Sequence, residues 1–203
     1  MTLELIIALF IFLTPLVNSP GPGNSFYMAL GASKGFAGTL PSLIGYHVAT
    51  FIVTLIIGFG VGMAFLSNPI ISKALQIFGS VYVAWIGVLF LREALSNDSS
   101  GVEESESRSA GFFGGAFLLL TNPKAYYVIA AMCTQFIVPG AEKNSNVLVL
   151  TSIFTLYNFV AFGVWSFLGS QLTKIFLDKN SRKWFYLVSS ACMFGVAAWI
   201  LFR

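Results

Sequence analysis

The chain has 203 residues, of which 57% are hydrophobic and only 9% are charged, and its mean hydropathy is +0.83. This balance lies far outside that of soluble globular domains and predicts an integral membrane protein. The formal net charge of +3 is small, so the chain offers no electrostatic footprint for a nucleic-acid partner. A single histidine and two isolated cysteines lack the usual ligand cluster, and we therefore predict no metal site, no cofactor and no disulfide framework.

The first predicted span covers residues 5–30 and is interrupted by a cluster of helix-breaking residues. Its apolar start could be a signal peptide, but Glu4 replaces the expected basic segment and apolar sequence resumes after the cluster, so we interpret it as half of a broken span. At the first position of a new helix Pro22 is well tolerated, and the free N–H groups and positive dipole end of that helix could receive a carboxylate. The alternative is a kink that only shapes helix packing. The candidate binding residues here are Ser19, Pro20, Gly21, Pro22 and Asn24.

The second predicted span, residues 38–64, contains the only histidine of the chain. It lies in a stretch without Asp, Glu, Lys or Arg, residues 35–72, that is long enough to cross the hydrocarbon core. A histidine can gain and lose a proton near neutral pH, so His47 is a candidate for proton coupling, together with Thr50 on the same helix face. The alternative is that His47 is a hydrogen-bonded packing residue.

The third predicted span, residues 70–93, is followed by a polar and acidic stretch at residues 96–110. This stretch has almost no apolar side chains, so it cannot bury enough surface to fold alone, and we interpret it as a linker. A passive, solvated loop is the favoured interpretation, and a regulatory or docking element is the alternative.

The fourth predicted span, residues 111–138, carries a second break at Asn122-Pro123-Lys124. An ammonium group near the middle of a span costs about 2.5–3.5 kcal/mol on insertion scales, so Lys124 needs a partner. A substrate carboxylate and the backbone carbonyls freed by Pro123 are the two candidates. We predict that Asn122, Pro123 and Lys124 contribute to a substrate-binding site.

The fifth and sixth predicted spans cover residues 147–171 and 184–202. Polar residues in spans three to five are expected to form hydrogen bonds between helices rather than to contact a ligand. They are Gln76, Gln135, Tyr157 and Asn158. Pairs of small residues four positions apart, such as Gly31 with Gly35 and Gly111 with Gly115, predict close helix packing and no chemistry.

We therefore predict one all-α transmembrane domain over residues 1–203, with six transmembrane helices arranged as a 3+3 inverted repeat. The linker separates residues 1–95 from residues 111–203, and since three is odd, the second half enters the bilayer with the opposite orientation. Broken helices in corresponding positions, here the first and the fourth, indicate a transport site. The linker side holds more Lys and Arg, which places the linker in the cytoplasm and both termini outside. These bases are Lys34, Arg92, Arg108, Lys174, Lys179, Arg182 and Lys183, against Lys73, Lys143 and Arg203 on the other side.

Several motifs, in chain order, resemble the lysine-exporter (LysE/RhtB) family of bacterial amino-acid exporters. They are Ser19-Pro20-Gly21-Pro22, Gly45 with Ala49, the run from Gly79 to Arg92, and Asn122-Pro123-Lys124-Ala125 followed by Gln135-Phe136. The resemblance implies a multi-pass protein of the bacterial inner membrane that exports amino acids or their derivatives, driven by the proton motive force. It implies an amino acid as the small-molecule partner and leaves the oligomeric state open, a homo-oligomer included.

Two positions depart from the pattern of that family. Many members have Asn or Asp where Gly23 stands, and many have Gly-Asp where this chain has Ala49-Thr50. An acidic residue able to couple protons is therefore missing from that position, and His47, one turn away, is its hypothetical substitute.

Two other functional classes remain open. An ion channel or conductive pore could line its filter with the same breaks, although a filter normally needs several subunits. An intramembrane enzyme would need a nucleophile, a base and an orienting group, and the one histidine has no carboxylate in its span. We therefore predict that the chain is not an enzyme.

Overall fold

The structure is a computed structural model that describes residues 2–18, 21–60, 69–95, 111–137, 143–175 and 179–202. Within these ranges every regular element is an α-helix, as predicted. The helices are α1 Leu3–Asn18, α2 Pro22–Gly58, α3 Pro69–Leu95, α4 Phe112–Leu120, α5 Pro123–Phe136, α6 Lys143–Ile175 and α7 Lys179–Phe202. Ser19 and Pro20 of the first break and the linker at 96–110 lie outside the described residues.

Two of the described helices are individually long and apolar enough to cross a bilayer, Pro22–Gly58 and Lys143–Gln171. A third candidate is the pair α4 and α5, whose axes are bent by 66° at the break between them. Large apolar side chains such as Phe113 and Leu156 are exposed on the outer surface, where lipid can solvate them. The structure is therefore that of an all-helical membrane protein, and the number of six spans stays a prediction.

Gly35 divides α2 into two arms, residues 22–34 and 36–58. Its backbone has φ 69° and ψ 167°, a conformation that glycine adopts readily because it has no Cβ. Tyr27 on the first arm donates a hydrogen bond of 2.9 Å to the carbonyl of Ser42 on the second arm. In a straight helix these residues would lie about 22 Å apart, so the chain folds back at Gly35. The first arm is the second half of the broken first span.

Two glycine-mediated crossings bring α2 into backbone contact with its neighbours. Gly31 lies against the carbonyl of Ser166 in α6, and Gly169 in α6 lies against the carbonyl of Met28, so a Cβ on either glycine would overlap backbone atoms. Such contacts replace side-chain packing where interhelical distances are short. The second crossing repeats this spacing between α2 and α4, with Gly45 against Phe112 and Gly115 against Ser42.

Helices α3 and α7 pack mainly against each other and share an apolar core with α2. Ser190 of α7 donates a hydrogen bond of 2.8 Å to the carbonyl of Gly87 in α3, and the rings of Phe90 and Tyr186 have centroids 6.2 Å apart. Their contacts with the other helices are less extensive. The residues that line the interior pocket therefore come from α1, α2, α4, α5 and α6 and from the break between α4 and α5.

Candidate functional site

The first break lies between the end of α1 and the start of α2. Gly21 is fully extended, with φ −173° and ψ 177°, and Pro22 occupies the first turn of the new helix, as predicted. The buried amide of Asn24 donates a hydrogen bond of 2.9 Å to the carbonyl of Val17, one of the acceptors that the end of α1 leaves without an intrahelical donor. No described side chain caps the first turn of α2, so its N–H groups can receive a ligand.

The second break lies between α4 and α5. Asn122 is buried and extended, with φ −92° and ψ 99°, and Pro123 begins α5. The hydroxyl of Tyr126 donates a hydrogen bond of 3.0 Å to the carbonyl of Leu120, so the polar backbone at the end of α4 is partly satisfied inside the protein. The break that the sequence predicts at these residues is present.

The two breaks meet where the side chain of Lys124 reaches Gly21. A Cβ placed on Gly21 would lie 2.9 Å from Cδ and 3.1 Å from Nζ of Lys124. The ammonium group therefore lies against the N-terminus of α2, a point that already carries a partial positive charge. Two positive features in contact favour an anion between them.

Both breaks line one pocket in the interior. The pocket has a cavity volume of about 30 Å³, which is room for on the order of two waters. An amino acid does not fit into that space in the described conformation. The lining residues are Leu16, Val17, Asn24, Tyr46, Thr50, Leu119, Asn122, Lys124, Ala125, Val128, Phe154, Asn158 and Phe162.

His47 lies behind this pocket and is connected to it by Asn158. Its Nδ1 lies 2.7 Å from the carbonyl of Leu43, and since a carbonyl only accepts hydrogen bonds, Nδ1 carries the proton. Nε2 then accepts from the side-chain amide of Asn158 at 3.3 Å. The imidazole is 4% exposed and packs against the rings of Phe159 and Phe162. His47 is therefore a neutral, hydrogen-bonded residue in this conformation.

Asn122 presents an unused acceptor in the same region. Its Nδ2 donates a hydrogen bond of 3.1 Å to the hydroxyl of Tyr46, while its Oδ1 is buried without a hydrogen-bond partner among the described residues. A buried polar atom without a partner is unfavourable by about 1–3 kcal/mol. Because Asn122 lines the pocket, a donor group on a bound ligand would satisfy this oxygen.

The structure brings most of the sequence-predicted site residues together. Asn24, Thr50, Asn122 and Lys124 line the pocket, and Gly21 contacts Lys124. The hydroxyl of Thr50 donates to the carbonyl of Tyr46 at 2.8 Å, so in this conformation its proton is used within its own helix.

The polar residues that were predicted to form hydrogen bonds between helices have different outcomes. The hydroxyl of Tyr157 lies 2.9 Å from that of Thr14, which confirms a hydrogen bond between helices. Asn158 bonds His47 on another helix, as expected, but it also lines the pocket, which the sequence did not indicate. Gln135 is exposed, and the side chain of Gln76 lies outside the described residues.

Sequence reasoning missed two aromatic residues of the site, Tyr46 and Phe162. The ring of Phe162 lies where a side chain at residue 23 would stand, with Cε2 and Cζ 2.7 Å from a Cβ placed on Gly23. The glycine that departs from the family pattern thus makes room for this ring. The signal was present in the sequence as the departure itself, but its cause required the contact between α2 and α6.

Two broken helices that meet at an interior pocket are typical of membrane transport proteins. The chain belongs to the LysE type translocator family, which it matches over residues 15–203. It is 31% identical over 150 residues to the homoserine/homoserine lactone efflux protein of Salmonella typhi, covering 74% of this chain and 73% of that protein. It is 27% identical over 173 residues to the leucine efflux protein of Klebsiella pneumoniae, covering 80% and 81%. No solved structure matches the chain.

These relationships confirm the predicted family and identify the chain as a multi-pass membrane transporter, not an enzyme. At the level of the family they support amino-acid export. An uncharacterized membrane protein of Vibrio cholerae is 26% identical over 171 residues, with 83% of each chain covered.

Proposed function

We propose that the chain is a secondary transporter of the bacterial inner membrane that exports amino acids or their derivatives from the cytoplasm, coupled to the proton motive force. The observation that carries this proposal is the contact of Lys124, a lining residue of the interior pocket, with Gly21 at the start of α2. Efflux relatives in the same family support the direction and the substrate class.

Lys124 and the N-terminus of α2 together form the site for the substrate carboxylate. The ammonium lies against the first turn of α2, whose N–H groups no described side chain caps. Either feature alone would bind an anion weakly. Together they offset the cost of placing a lysine in the interior of a membrane protein. Backbone carbonyls, the other candidate partners of Lys124, could hold the ammonium before a substrate binds.

The substrate ammonium group binds on the opposite side of the pocket. Asn122 supplies its unused Oδ1 as an acceptor, and Tyr46 holds the amide through its bond to Nδ2. The described lining residues include one base and no carboxylate. This balance suits a substrate whose side chain is uncharged, because a second cation would lie near Lys124 without a counter-ion.

His47 and Thr50 couple transport to protons. When Nε2 of His47 takes up a proton it can no longer accept a hydrogen bond, so the amide of Asn158 must turn and offer its oxygen. Asn158 and Thr50 line the pocket, so this turn changes the polar groups that the substrate meets. Protonation of His47 and occupation of the pocket are therefore linked.

The proposed architecture is the six-span 3+3 inverted repeat, with the halves at residues 1–95 and 111–203. Its support is that each half contributes one break to the pocket. The proposed orientation places the linker and the turn at Gly35 in the cytoplasm and both termini outside.

The test is efflux from proteoliposomes loaded with labelled amino acids, with and without an imposed pH gradient. We expect saturable efflux of amino acids with uncharged side chains, accelerated when the outside is acidic, and counterflow when unlabelled substrate is present outside. Non-saturating flux without counterflow would indicate the channel that the sequence left open, and absence of amino-acid flux would refute the proposal.

A further inference from the structure

The second arm of α2 and the first part of α6 run antiparallel and in register. Three contacts fix this: Thr39 with Ser166, whose hydroxyls lie 2.7 Å apart, His47 with Asn158, and Gly58 with Val147. Between successive contacts, the residue number rises along α2 by the same amount as it falls along α6. Residues between the contacts can therefore be paired level by level.

This register pairs two threonines of α2 with two threonines of α6, in the stretch that runs from the pocket toward the end of α2. Thr50 and Thr54 follow His47 by one and two turns on the same face of α2, and Thr155 and Thr151 precede Asn158 by the same steps on α6. All four lie within the two faces that the contacts bring together. We call this set the threonine seam.

The hydrogen bonds within the seam are incomplete. Thr50 and Thr54 donate to carbonyls one turn earlier in their own helix, at 2.8 and 2.7 Å. The hydroxyl oxygens of Thr151 and Thr155 are buried and have no hydrogen-bond partner among the described residues. Water outside the protein cannot supply one at Thr151, because this residue is only 1% exposed. One side of the seam thus offers unused hydroxyl protons and the other side offers oxygen lone pairs.

We propose that the threonine seam holds a file of water molecules, and that this file is the proton path between His47 and the membrane face at which α2 ends. Water supplies the donors and acceptors that the four hydroxyls lack, as buried water does elsewhere in proteins. A chain of such waters passes a proton by successive hydrogen-bond exchange, with no net change in the hydroxyls.

The ends of the seam agree with this role. Its upper end is the pocket, where Thr50 and Asn158 are lining residues. The other titratable groups there are Lys124 and Tyr46, and the seam itself contains no acidic or basic side chain. At its lower end Val147 packs against Gly58, one turn beyond Thr54 and Thr151, and closes the path in this conformation. In the proposed orientation that end faces outside, where an exporter driven by protons takes them up.

Thiol labelling tests the hydration of the seam without requiring transport. In a background with Cys133→Ala and Cys192→Ala, we compare Thr151→Cys with Ser152→Cys, using a small charged thiosulfonate reagent added outside intact cells. Ser152 lies at the same depth but is exposed on the outer surface, where a charged reagent in lipid cannot react. We expect modification of Thr151→Cys alone, and faster modification when Val147→Ala removes the closing contact.

Labelling of both positions, or no labelling of Thr151→Cys even with Val147→Ala, would overturn the hydrated seam. Labelling only from the cytoplasmic side would overturn the proposed direction of the path.

Transport measurements test the role of the seam, which rests on the proposed function. Thr151→Val keeps the shape of the side chain and removes the hydroxyl. We expect efflux driven by a pH gradient to fall about fivefold, while substrate exchange at equal pH on both sides is unchanged. Thr134→Val, outside the seam, is the control.

Equal loss of both activities would indicate a structural role and overturn the path. If no amino acid is exported at all, the proposed function fails while the labelling result stands.

Discussion

Lys124 places a positive charge at the junction of two broken helices, and its position depends on the absence of a side chain at Gly21. A lysine in a spanning segment persists only if the protein surrounds it or a ligand neutralises it. Here the protein surrounds Lys124 at the pocket, and the proposed substrate carboxylate would neutralise it. Lys124 is therefore the first residue to substitute when the site is tested.

Lys124→Ala should reduce export to background while membrane insertion stays intact, because the change removes a charge that costs about 2.5–3.5 kcal/mol to insert. Efflux from proteoliposomes measures the first effect and the yield in membranes the second. Lys143→Ala, which removes a charge at the start of α6, is the matched control and should remain active. A fully active Lys124→Ala protein would contradict the carboxylate site.

Gly21→Ala should weaken substrate binding without unfolding the protein. The new Cβ would lie 2.9 Å from Cδ of Lys124, and the flexible lysine would move away rather than the helices. We expect half-saturation of efflux to rise about fivefold, the equivalent of one lost hydrogen bond. Gly195→Ala, where a Cβ meets open space, should change nothing. Unchanged half-saturation in Gly21→Ala would show that the contact is not used.

His47→Gln should separate exchange from proton-driven efflux. Glutamine can keep hydrogen bonds to Leu43 and Asn158 but cannot take up a proton. We expect exchange at equal pH to continue and the acceleration by an acidic exterior to disappear. The measurement is efflux against external pH, and a profile identical to that of the unmodified protein would remove His47 from the mechanism.

The helices show which features a sequence can predict. Both breaks were predicted because proline and glycine act through local geometry, without reference to the rest of the fold. The reversal expected between the first and second spans is present, at Gly35. The close packing predicted for Gly35 was wrong, because a Cβ at this residue would meet nothing within 4 Å, and the sequence alone does not mark its positive φ. Tyr46 and Phe162 were missed because their place at the site depends on the register of α2 against α6. Such long-range registers are not encoded in any single segment.

The helix α4 depends on its crossing with α2 more than on its own sequence. Nine residues are too few for a stable isolated helix, and the crossing is held by reciprocal contacts of Gly45 and Gly115 with backbone carbonyls. Both glycine crossings lie on the side of the breaks that we assign to the cytoplasm.

Gly115→Ala should destabilise the protein by about 1–3 kcal/mol, since its Cβ would overlap the backbone at Ser42 and the helices would have to separate. Thermal unfolding in detergent, followed by the loss of monodisperse protein, measures this. Gly195→Ala in α7 is again the control and should be neutral or slightly stabilising. Equal melting of the two variants would show that the α2–α4 crossing tolerates more space than its geometry indicates.

The whole molecule assembles one pocket from elements that are distant in the chain. Asn24 and Thr50 come from the first predicted half, and Asn122, Lys124 and Asn158 from the second. Neither half encloses the pocket alone, so the linker at 96–110 needs only to connect them.

Neutralising the acidic linker should leave transport nearly unchanged, because its composition predicts a solvated connection whose charges are screened by salt. The variant replaces Asp98, Glu103, Glu104 and Glu106 with the corresponding amides. Efflux under a fixed pH gradient is the measurement. Loss of transport in a correctly inserted variant would show that the linker regulates or docks.

The small pocket has a consequence for affinity. A space of about 30 Å³ must widen before an amino acid enters, and the work of separating packed helices is subtracted from the energy of the contacts that form. Equilibrium binding should therefore be weaker than the ammonium, amide and N–H groups would give in a preformed cavity. Weak retention suits a carrier, which must let its cargo go on the far side of the bilayer.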